Sequence, residues 1–151
     1  TQLLEQENIT PESKHEALYC RAKAHLNNKQ YGLSLVDFTP VAKDVRTTWG
    51  AEAKYQLAFC YFNLTAVDMA EQEIMSFTTM QTTHQYWLAK SLILLADINV
   101  DKQDLFQAKQ YLLALQNNYK QSDDIAQIIV SKLDRIDQLE KSENTDTTPN
   151  E

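Results

Sequence analysis

The stretch closest to a catalytic motif is His15-Glu16-Ala17-Leu18-Tyr19. A zinc-protease helix needs His-Glu-x-x-His, because two histidines one turn apart share the metal while the glutamate serves as base. Tyr19 stands where the second histidine belongs, and no other His or Cys lies at ligand spacing, so no metal is expected. Gly32 and Gly50 are isolated, which leaves no glycine-rich loop to cradle a phosphate. The acid pairs Asp123-Asp124 and Asp97 with Asp101 read as helix capping and a solvated face. His25 reads as a packed, hydrogen-bonded ring and His84 as a linker residue near a helix start. No nucleophile or base stands beside an orienting group. The chain therefore reads as non-catalytic and without a cofactor.

Composition narrows the partners. With 14 basic and 21 acidic residues the net charge is −7, which repels a phosphate backbone, so nucleic acid is disfavoured. A spanning helix needs about 18 or more apolar residues in a row. The run Leu92 to Ala96 is closed by Asp97, so no membrane insertion is expected. Cys20 and Cys60 fall at non-equivalent helix positions and are expected as free, largely buried thiols. The absence of an initiator Met and of a basic leader suggests that residue 1 lies downstream of other sequence.

Two glycines and three prolines in 151 residues supply little of the punctuation that sheets need, so the chain reads as all-α. Residues 1–9 read as an N-terminal flank, the end of a preceding repeat. Thr10-Pro11-Glu12 has the order cap, first-turn proline and first-turn acid, and opens a helix to about Asn27. Helices are further expected over about 30–42, 50–64, 66–79, 85–100 and 104–118, followed by an amphipathic helix over 122–141. Pro40 removes a donor late in the second and should end or kink it near Phe38. The fifth, with Trp87, Leu88, Leu92, Leu94, Leu95 and Ile98, is apolar on more than one side and should lie inside the stack. Residues 142–151 read as a disordered tail.

One spacing organises these helices. Ala22 and Ser34, Ala58 and Ala70, and Ala96 and Ala108 are pairs of small residues twelve positions apart. They recur at steps of 36 and 38 residues, the mark of stacked helical hairpins. In each pair the two small residues meet across the hairpin, where bulk would force the helices apart. The domain then spans 10–141, with repeats at about 11–46, 47–82 and 83–120 and a capping helix at 122–141 to close the last repeat.

Leu57, Ala58, Tyr61, Ala70 and Ile74 in the second repeat, with Leu95, Ala96, Ala108 and Leu112 in the third, resemble the tetratricopeptide repeat. The first repeat keeps Ala22, Tyr31, Ser34 and Phe38 but has Arg21 and His25 where the pattern has leucine and tyrosine, and the third has Asn99 for that tyrosine. The stretch from Ala53 to about Ile136 is similar to the C-terminal part of large Bacteroidetes repeat proteins. The resemblance implies a right-handed α-α superhelix of three hairpins plus a cap. It also implies a Gram-negative source, with a periplasmic or envelope setting possible.

In that family the first helix of each repeat lines a concave groove. The register then points Glu16, Tyr19 and Lys23, then Glu52, Tyr55, Phe59, Phe62 and Asn63, and finally Lys90, Ile93, Asp97 and Asp101 into it. Tyr19, Tyr55 and Phe59 would make an aromatic stripe suited to a protein or peptide partner, because rings give large contact area for few rotors. The opposing expectation is that these rings pack beneath neighbouring helices. A structural or capping segment of a longer array, and a small-molecule or enzymatic site in the groove, are the two alternative functions.

Overall fold

The computed structural model describes residues 9–146. Among these residues there are seven α-helices and no strand. They are α1 (Pro11–Asn27), α2 (Tyr31–Val41), α3 (Thr48–Asn63), α4 (Val67–Thr79), α5 (Gln85–Asp101), α6 (Leu105–Asn118) and α7 (Ile125–Asp146). Contacts separate two compact units, the first ending at Trp87 and the second beginning at Leu88.

The cap expected at Thr10 is present, and two further starts are capped in the same way. Thr10 Oγ1 accepts the Ser13 amide at 3.1 Å, Thr47 Oγ1 that of Gly50 at 2.9 Å and Asp104 Oδ1 that of Gln107 at 3.0 Å, each satisfying a donor the first turn leaves open. Two helices differ from expectation. α2 carries Pro40 inside it and runs to Val41, because a proline so close to the end disrupts only the last turn. α7 begins later, since Asp123 accepts the Tyr119 hydroxyl and the Ile125 amide and holds 122–124 in a turn. It then continues through Ser142–Asp146, which the composition had placed in the tail. Residues 1–8 and 147–151, the rest of the expected flank and tail, lie outside the described residues.

Three turns share one geometry that the composition hides. Lys29, Thr65 and Gln103 have φ of 57°, 61° and 63°, the left-handed region usually given to glycine. The amides after them, on Gln30, Ala66 and Asp104, reach back to the carbonyls of His25, Tyr61 and Asn99 at 2.8, 2.9 and 2.9 Å. This double-bonded helix ending recurs at the same 36- and 38-residue steps as the small pairs. At Thr65 the β-branched side chain makes the conformation costly. Thr65→Gly is expected to raise stability by about 0.5–1 kcal/mol, the relief of strain less the entropy that glycine adds to the unfolded chain. Thermal melts of parent and variant read it, and a Tm at or below the parent's would count against a strained turn.

All six small residues of the twelve-residue pairs are buried. In the first unit Ser34 Oγ donates to the Ala22 carbonyl at 2.8 Å, so that pair meets across the hairpin. Ala22, Phe38, Val41, Ala42, Ala53 and Leu57 form the core there, with Leu18, Tyr19, Leu26 and Leu35 packed against it. In the second unit α6 and α7 pack together, and Leu112, Leu115, Ile125, Ile129 and Ile136 are buried. α5 buries Ala89, Ser91, Ile93, Leu94, Leu95, Ala96, Ile98 and Asn99, on more than one side as its apolar run requires. Both cysteines are free. Cys60 is buried but Cys20 is exposed, against the expectation of two buried thiols, because no described helix covers the side of α1 that carries it.

Candidate functional site

Glu52 of α3 is buried, 6% exposed, and a carboxylate so placed needs partners. It has two from α1: the Tyr19 hydroxyl and the Lys23 ammonium, each at 2.5 Å. Burial, and then the bond to Glu52, push the Tyr19 phenol well above its ordinary pKa, so it stays a donor. Lys23 also stands 5.9 Å over the Tyr19 ring, whose other ring neighbours are Phe38 and Trp49 at 6.3 Å. Three residues expected to face a ligand therefore bind one another. Glu52 is a buried acceptor that ties α1 to α3.

Tyr55 and Phe59 enter a different arrangement. Phe59 meets Tyr31 of α2 edge-on at 6.3 Å and Tyr55 at 6.2 Å. Tyr55 stacks on Trp87 at 5.7 Å, and Trp87 meets Tyr86 edge-on at 5.0 Å. These separations favour ring pairing. All five rings are half-buried, so they form a continuous ladder that keeps part of its surface open. The spacing of the small pairs pointed to Tyr55 and Phe59 but not to Tyr31, Tyr86 or Trp87. Those three stand in the first turns of α2 and α5, outside the first-helix register that the small pairs define, and only the packing of distant segments brings them together.

The other expected groove residues divide by exposure. Glu16 is exposed and Phe62 half-buried. Asn63 is exposed, with its Nδ2 donating to the Phe59 carbonyl at 2.9 Å. In the second unit Lys90 is half-buried and Asp101 exposed. Ile93 is buried at 5% exposure and belongs to the core, since α5 is covered on more than one side. Asp97 is half-buried and held by Lys132 of α7 at 2.7 and 2.8 Å, so its charge is matched from within the unit.

Arg21, the departure from leucine in the first repeat, has a local explanation. Its Nε and Nη2 grip both oxygens of buried Asp37 at 2.7 Å each, the forked geometry that guanidinium and carboxylate share. His25 Nε2 lies 3.8 Å from the same carboxylate. The bond from Arg21 holds the Asp37 carboxyl below its ordinary range. Its contribution to stability is complete above the unfolded carboxylate's pKa of about 4, and is lost as pH falls from there toward the lower folded value. Asp37→Asn is expected to lower the Tm at pH 7 and to shrink the further drop as pH falls below about 4, because it removes the titrating group. Parallel melts across that range check it; an unchanged acid drop would assign the titration elsewhere.

Burial pushes the Cys60 thiol up to about 11, which leaves it protonated near neutrality. Among the described residues no three His, Cys, Asp or Glu side chains are grouped to hold a metal ion. No helix among them is long and apolar enough to cross a membrane. Searches of protein-family models, of curated proteins and of solved structures each found no match to this chain.

Proposed function

We propose that the chain is a non-catalytic interaction scaffold of the tetratricopeptide type, in which the ring ladder takes an extended or helical segment of another protein. The right-handed superhelix of three hairpins and a cap is part of this proposal. The observation that carries the functional reading is the ladder: Tyr31, Phe59, Tyr55, Trp87 and Tyr86 succeed one another at 5.0–6.3 Å, each half-buried. Rings already held by their neighbours lose little conformational freedom when a partner arrives, which favours aromatic contact surfaces. Glu52, Tyr19 and Lys23 fix α1 on α3, the helix that carries Tyr55 and Phe59.

The test uses peptides selected from a random displayed library against the intact chain. Binding is followed through Trp87 fluorescence in a Trp49→Phe background. Tyr55→Ala with Phe59→Ala is expected to weaken the selected peptides by at least about tenfold, the scale of losing a central aromatic contact. Peptides that bind the double variant as well as the parent would remove the ladder from the site.

A further inference from the structure

Displaced by 36 residues, the first hairpin falls on the second. Lys29 lands on Thr65 in the left-handed turn, and the fully buried Ala22, Ser34 and Phe38 land on the equally buried Ala58, Ala70 and Ile74. The correspondence fails along one side of α1. Lys14, Ala17, Cys20, Arg21 and Ala24 are exposed, whereas their counterparts Gly50, Ala53, Gln56, Leu57 and Cys60 are all buried. Just before the helix, Ile9 is 61% exposed where Val45 is 3% exposed. On α3 a helix closes this side, since Ala53 and Leu57 share a core with Phe38, Val41 and Ala42 of α2. On α1 no described helix closes the same side, and it carries a groove of about 490 Å³ lined by Ile9, Ser13, Lys14, Ala17, Leu18 and Arg21.

We propose that this groove docks an amphipathic helix carrying acidic residues beside its apolar stripe. The shape follows from continuity: the α2-on-α3 packing, moved one repeat earlier, leads into this groove, and there its occupant is a helix. Ala17 and Ala24 are small enough for a close backbone approach, and Ile9 and Leu18 supply apolar area that docking would cover. The charge follows from the lining. In a chain of net charge −7 the two charged groups in the groove are both basic, Lys14 and Arg21. Arg21 spends Nε and Nη2 on Asp37, and its side chain is 64% exposed, so further N–H donors of the guanidinium face outward. Carboxylates on the incoming helix would meet them. This surface is separate from the ring ladder and does not depend on it.

The probe is a synthetic peptide of residues 66–80, the α4 sequence, which stands one repeat after α2 and carries Asp68, Glu71 and Glu73 with no basic side chain. A covalent link between positions 72 and 76, both exposed on α4, holds it helical. It is titrated into the ¹⁵N-labelled full chain. Amide shifts are expected at Ile9 and across 13–21, with a Kd on the order of 10–100 μM. Ala17→Arg, at an exposed position, is expected to weaken binding at least about tenfold by filling the groove, with the Tm unchanged. A peptide with the three acids replaced by Gln should bind about threefold or more weakly at low salt. Three results would overturn the proposal: no shifts up to millimolar peptide, shifts confined to the ladder, or indifference to Ala17→Arg. Equal affinity of the Gln peptide would overturn the acidic requirement. Sedimentation without peptide adds one further outcome: self-association abolished by Ala17→Arg would make a second copy the occupant and refute the acidic helix.

Discussion

Gly50→Ala is expected to destabilise the first unit by about 3 kcal/mol, at the upper end of what overpacking costs. A Cβ at this position would stand 1.7 Å from the Asp44 carbonyl oxygen, 2.7 Å from its carbon and 2.9 Å from Thr47 Oγ1. The first two are backbone atoms, and the loop that carries them has little room to move. Val45 beside it is buried, and its carbonyl accepts the Thr82 hydroxyl at 2.7 Å; the Asp44 carbonyl itself accepts the Thr47 hydroxyl at 3.1 Å. Relief would therefore come from breaking the cap of α3 or moving the 42–47 segment. Gly32 is the internal control, because a Cβ there meets nothing within 4 Å and the residue lies in the first turn of α2. Gly32→Ala should stabilise by about 0.4–1 kcal/mol through lower entropy of the unfolded chain. Urea unfolding of both variants reads the opposite signs, and a Gly50→Ala midpoint equal to the parent's would mean that the loop yields freely.

Phe38→Ala is expected to cost about 3–5 kcal/mol, the range for emptying a fully buried aromatic site. Phe38 is 0% exposed and sits in the core where α1, α2 and α3 meet. Its ring also stands edge-on to Tyr19 at 6.3 Å, and Tyr19 donates to Glu52. The cavity would thus loosen the phenol that satisfies a buried carboxylate, and the cost of packing would be joined by a cost of polar satisfaction. Val36, two residues earlier and 70% exposed, gives the contrast, since Val36→Ala should stay within about 0.5 kcal/mol. Denaturant midpoints at constant m-value measure both. A Phe38→Ala loss under about 1 kcal/mol would place the core elsewhere.

Much of the helical layout was readable from residue types. Thr10-Pro11-Glu12 opens α1 where its cap and proline require, and α1 ends at Asn27 as its pattern predicts. The small pairs at twelve-residue spacing marked six positions that are all buried, and in the first hairpin the two residues touch. These readings succeed because each rests on local geometry: periodicity reports a residue's angle around its own helix, and capping reports on one turn.

What faces that angle was not readable. Glu52 has the register of a groove residue, but Lys23 and Tyr19 reach it first. Asp97 does as well, but Lys132, 35 residues onward, neutralises it. Ile93 is buried because α5 is covered on more than one side, which its own pattern suggests without saying which residues stay open. The left-handed turns at Lys29, Thr65 and Gln103 carry no glycine, and Gly50 looks like any isolated glycine until the Asp44 carbonyl is found against it. Residue order and composition dictated the helices, their capping and the buried register, all governed by interactions within a few positions. Tertiary packing alone decided which charges were satisfied, which rings joined the ladder and which side of α1 stayed open, since each depends on residues from distant segments competing for the same space.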